Sequence, residues 1–97
     1  MGTSVKEYTV EIKNLGETGN YFIVTFNLKD KYGFEKVESV THYIKTKETR
    51  KFVYRDVQFE KNEILRWRYT IDQTYWKNAS KCLKIGYFLG SYKIYCT

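Results

Sequence analysis

The chain has 97 residues and a mass of 11.7 kDa, which leaves room for one domain around one core. Hydrophobic content of 42% with 19% aromatic excludes a disordered chain, and no apolar run is long enough for a membrane-spanning helix. The formal charge of +6 raises the prospect of anionic partners, but the lysines are spread along the chain, as they are when they solubilise sheet faces and protect strand edges.

Met1-Gly2-Thr3-Ser4 reads as a cloning leader and shows no signal peptide. Lys6 occupies the position where a myristoylation signal favours Ser or Thr. Residues 5–97 read as a single domain. The first strand is expected over 5–13, where Tyr8, Val10 and Ile12 alternate with polar residues. Asn14-Leu15-Gly16-Glu17-Thr18-Gly19-Asn20 breaks it. Phe22, Val24, Phe26 and Leu28 resume the alternation over 20–29, and Asp30-Lys31-Tyr32-Gly33 forms the next turn. Further strands are expected over 34–44 and 50–58, separated by the charged turn Lys45–Lys51. A fifth follows over 63–72, with Leu65, Trp67, Tyr69 and Ile71 on one face and Arg66, Arg68 and Thr70 on the other. Only 72–81 has room for a helical turn, and the last two strands fall at 82–89 and 92–97.

Short alternating strands with regular turn signals predict an all-β, Ig-like antiparallel sandwich of about seven strands. Its expected core is Val10, Ile12, Phe22, Val24, Phe26, Leu65, Trp67, Tyr69, Ile85 and Ile94. The chain contains no proline, so its turns must rely on Gly, Asn and Asp; positive φ is expected among Gly16, Gly19, Gly33 and Gly90. Gly90-Ser91, read as a II′ turn, pairs Leu89 with Tyr92, Tyr87 with Ile94 and Ile85 with Cys96. That register puts Lys84, Phe88, Lys93 and Tyr95 together on the opposite face.

The residues from Tyr8 to Arg55 resemble Ig-like domains of the FxLYD and CARDB type found in exported bacterial and archaeal proteins. The matches are Asn14-Leu15-Gly16, Phe26-Asn27-Leu28-Lys29-Asp30, Gly33, and Lys47-Glu48-Thr49 followed by Phe52. Lys29 stands where those domains favour Tyr, and Lys47 where a turn Gly is usual. The resemblance covers about half of the chain. It implies a seven-stranded accessory module, commonly without enzymatic activity, outside the cell or in its envelope.

No catalytic constellation stands out. His42 shares a strand face with Val40 and Ile44 and reads as a structural or surface residue. The chain shows no nucleophile elbow, phosphate loop or metal-ligand spacing, so no catalytic residue, cofactor or metal is expected. Cys82 and Cys96 are a candidate disulfide that would close a loop of roughly 15 residues. The hairpin register above sets the two on opposite faces, which leaves reduced structural cysteines as the alternative. Asn78-Ala79-Ser80 fits an N-glycosylation acceptor at Asn78.

The function expected from these readings is a non-catalytic structural or interaction module, a spacer or adhesion element binding a protein or an anionic envelope polymer. The domain itself is not expected to insert into a membrane. The alternative is a basic, aromatic β-domain that stacks and tracks nucleic acid. Lys84, Phe88, Lys93 and Tyr95 would form its platform, joined by Arg66 and Arg68.

Overall fold

The computed structural model describes residues 3–59, 64–73 and 82–97, with side chains over 6–55, 66–72 and 82–97. Seven strands run in chain order as β1 (Thr3–Asn14), β2 (Asn20–Asp30), β3 (Glu35–Ile44), β4 (Thr49–Phe59), β5 (Ile64–Gln73), β6 (Cys82–Phe88) and β7 (Ser91–Cys96). Each falls within two residues of its expected bounds. They form two packed sheets, ordered β4-β1-β7-β6 and β3-β2-β5. The chain is thus an all-β sandwich.

Two features of the pairing depart from a purely antiparallel Ig arrangement. β1 pairs with β7 in parallel, with Val10 opposite Tyr92 and Ile12 opposite Ile94, whereas the remaining ladders are antiparallel. Constant-type Ig domains also place their first, second, fifth and fourth strands in one sheet. Here β1 sits between β4 and β7, and β2 lies across the core in the other sheet.

The core follows from the period-two pattern. Alternate residues Phe22, Val24, Phe26 and Leu28 of β2 are wholly buried against Val10 and Ile12 of β1 and Phe52 of β4. Ile94 and Cys96 close the same cluster from β7. Trp67 and Tyr69 pack on it partly buried; their rings lie 5.3 and 5.1 Å from the Tyr92 ring, and Trp67 also meets Tyr8 at 5.1 Å. The side chain of Leu65, the segment 74–81 and the acceptor Asn78 lie outside the described residues. The first two residues of the stretch expected to turn helically, Asp72 and Gln73, belong to β5.

Asn14 ties the connections together. Its amide donates to the carbonyls of Thr18 and Ile44, both at 3.0 Å, and its side-chain oxygen accepts from the Gly16 N–H at 2.8 Å. Its backbone bonds to Glu48 and Lys47, and the adjacent Leu15 N–H donates to Cys96. Asp30 organises the β2–β3 turn, accepting from the N–H groups of Tyr32 and Phe34 while Gly33 takes φ 87°. In the β3–β4 turn Lys47 adopts φ 65°, the left-handed backbone that a turn glycine would take freely. Gly16 and Gly19 are not in that region; at Gly19 the constraint is space, because an added Cβ would sit 2.3 Å from the Tyr43 hydroxyl.

The C-terminal hairpin corrects the expected register. The turn is Leu89-Gly90, with φ 52° and 80°, both positive as a type I′ turn requires. Phe88 therefore opposes Ser91 and Tyr87 opposes Tyr92, and a bulge between Lys84 and Gly86 shifts the ladder again. Beyond the bulge Lys84 opposes Ile94, Leu83 opposes Tyr95 and Cys82 opposes Cys96. An odd shift exchanges the faces of a strand. Ile85, expected in the core, is accordingly 43% exposed, and Leu83 stands out to solvent as well. The same shift brings Cys82 onto the face of Cys96. Their Cα atoms are 4.1 Å apart and the two are joined by a disulfide.

Candidate functional site

The outer face of the four-stranded sheet carries the clearest site geometry. Thr9, Glu11 and Lys13 of β1 face outward between Val53, Lys51 and Thr49 of β4 and Ser91, Lys93 and Tyr95 of β7. The Lys93 ammonium pairs with the Glu11 carboxylate at 2.5 Å, both side chains being largely sheltered. Next along the sheet, the Lys13 ammonium lies 5.8 Å from the centre of the Tyr95 ring. Among the described residues Lys13 has no carboxylate partner.

The bulge in β6 shapes this surface. It turns Ile85 outward, and Gly86 leaves an open backbone over which the Phe88 ring lies; a Cβ at Gly86 would meet that ring at 2.7 Å. A concavity of about 330 Å³ results, lined by Glu11, Lys13, Thr49, Ile85, Phe88, Lys93 and Tyr95, with Ile94 at its base. That volume lies at the small end of the ~300–1,000 Å³ range of ligand sites. Its chemistry is mixed: two ammonium groups, one carboxylate, the hydroxyls of Thr49 and Tyr95, two half-exposed rings and the aliphatic side chain of Ile85.

Of the expected binding face, Phe88, Lys93 and Tyr95 come together here. Lys84 does not. It lies before the bulge, on the opposite face, with its ammonium 4.8 Å from the Tyr92 ring centre. Arg66 and Arg68 belong to the other sheet, where they oppose Lys29 and Asn27 of β2. The six residues therefore occupy three separate surfaces. Glu11, Lys13 and Thr49 are the site residues that sequence reasoning missed. Only the parallel β1–β7 pairing and the β1–β4 pairing set them beside the hairpin.

β6 is the edge strand of its sheet. Large apolar side chains stand exposed along it: Leu83, Tyr87 and Phe88, with Leu89 wholly exposed at the turn.

The remaining titratable core neighbour is His42, whose ring lies 4.9 Å from Phe52. Burial, and secondarily the positive charge of Arg50, hold its pKa below the ordinary histidine value. Burial and the neighbouring Tyr92 raise the pKa of Tyr69. No group of three or more metal-ligating side chains gathers among the described residues. No family model, curated protein or solved structure matches the chain.

Proposed function

We propose that this domain is a non-catalytic interaction module of an exported or cell-envelope protein, and that the β6–β7 hairpin with the adjoining sheet face is its contact surface. The observation that carries this reading is the hairpin itself. A disulfide at directly opposed positions fastens an edge strand whose large apolar side chains are left in water. Disulfides of this kind persist in oxidising compartments and are rare in the cytosol. A rigid, apolar and basic edge suits an adhesion or spacer element that contacts a protein or an anionic polymer.

The separation of Lys84, Arg66 and Arg68 from Phe88, Lys93 and Tyr95 speaks against the nucleic-acid alternative, as does a carboxylate in the middle of the basic face. Two measurements test the proposal. Alkylation of the native protein in intact cells, followed by mass spectrometry, should find Cys82 and Cys96 oxidised. Titration with labelled single-stranded oligonucleotide should give weak, sequence-blind binding that fades with modest salt. A tight complex with a steep salt slope, lost in Phe88→Ala, would transfer the assignment to nucleic-acid binding. Reduced cysteines in the cell would remove the case for export.

A further inference from the structure

We propose that the concavity on the outer face of the four-stranded sheet binds one carboxylated sugar unit of an acidic polysaccharide; this rests on the reading of that face as a contact surface. The argument begins with charge. Glu11 and Lys93 neutralise one another at 2.5 Å, which leaves Lys13 as the unpaired charge of the concavity among the described residues. A ligand that matches it carries one negative group per bound unit. A carboxylate meets an ammonium in a short, charge-assisted hydrogen bond.

The second element is the Glu11 carboxylate. It can only accept hydrogen bonds when ionised, so its ligand must bring donors. Sugar hydroxyls supply these on adjacent carbons, where one hydroxyl can donate to Glu11 and its neighbour accept from the Lys93 ammonium. A phosphodiester backbone brings acceptors and negative charge toward that same carboxylate, which repels it. Thr49 adds a further hydroxyl at the rim of the concavity.

The third element is the pair of half-exposed rings. Ile85 and Phe88 of the edge strand β6, with Tyr95 of β7, give an apolar wall. A pyranose ring has one face of C–H groups that covers such a wall, while its hydroxyls and carboxylate point toward the polar side. The volume of about 330 Å³ holds a unit of this size, and the open sheet face lets the polymer continue past it.

The test uses oligogalacturonate, which carries a carboxylate on every ring, against its methyl-esterified counterpart of equal length and against oligothymidylate. Binding is read by calorimetry near physiological salt, with the folding of each variant checked by circular dichroism. The acid oligomer should bind, and esterification should weaken it by about tenfold or more, as loss of one charge-assisted hydrogen bond does. Lys13→Gln should weaken it to the same extent. Lys31→Gln, the same charge change made in the β2–β3 turn, should leave affinity within about twofold. Equal affinity for the ester, or equal effects of the two lysine variants, overturns the proposal and leaves only attraction by net charge. Preference for oligothymidylate also overturns it and transfers the assignment of this face to nucleic-acid binding. Failure of all three probes overturns the sugar assignment alone, because the cellular oxidation of the cysteines tests the module reading separately.

Discussion

Removing the Asn14 amide should destabilise the domain far more than its position at the end of a strand suggests. In Asn14→Ala the carbonyl of Ile44, in the buried layer, loses its donor, and the Thr18 carbonyl and Gly16 N–H nearer the surface lose their partners. An unsatisfied buried polar group costs about 1–3 kcal/mol, and a bond that water can replace contributes ~0.5–1.5 kcal/mol. One buried and two part-buried groups therefore amount to about 2–6 kcal/mol, a large fraction of the ~5–15 kcal/mol typical of whole domains. For a chain of this length each kcal/mol shifts Tm by roughly 4–8 °C, so thermal unfolding followed at 222 nm and by tryptophan fluorescence should move by about 8 °C or more. Urea unfolding should show a lower midpoint with an unchanged slope. Asn14→Asp sharpens the test. Its carboxyl would face two carbonyl oxygens, so its folded pKa would lie above the unfolded value. That variant should be closest to the wild type in acid and lose stability as pH rises through the folded pKa. A loss below about 0.5 kcal/mol in Asn14→Ala, within the range of ordinary surface substitutions, would refute the role assigned to this side chain.

Four further outcomes are expected. Reducing the Cys82–Cys96 disulfide, or replacing both cysteines by Ser, should cost about 3 kcal/mol in the chain-entropy account of a loop of this size, measured as a fall in urea midpoint. Leu89→Asn should raise stability by about 1 kcal/mol, because the exposed leucine holds a left-handed conformation that Asn adopts more easily; an unchanged or lowered Tm would contradict the turn assignment. Trp67→Ala should cost about 3 kcal/mol, at the low end for a large aromatic because the ring is only partly buried, and the tryptophan contribution to near-UV circular dichroism should fall. His42 binds its proton less readily in the folded chain, so stability should fall as pH drops below ~6.5, level off beneath the folded pKa, and show a flatter profile in His42→Gln.

The strands were legible because a sheet with one buried face imposes a period of two on its residues. Phe22, Val24, Phe26 and Leu28 of β2 carry that pattern without interruption, and all four are wholly buried. The turns at Asp30–Gly33 and Lys45–Glu48 were readable for a related reason, since local side-chain bonds and a left-handed residue are properties of a few consecutive positions. The hairpin register was not. Gly90 permits positive φ at either position of a two-residue turn, and the choice fell to Leu89-Gly90, a conformation that the leucine disfavours locally. The bulge at Ile85-Gly86 then reversed the faces of the residues before it, bringing Cys82 to Cys96 and turning Ile85 and Leu83 to solvent. Nor could Glu11, Lys13 and Thr49 be grouped with Phe88, Lys93 and Tyr95, because the parallel pairing joins segments some 80 residues apart and leaves no periodic trace in either. Local alternation is written into each strand by the need to bury one face. Which strands lie side by side, and so which charges share a surface, is decided by packing of the whole sandwich.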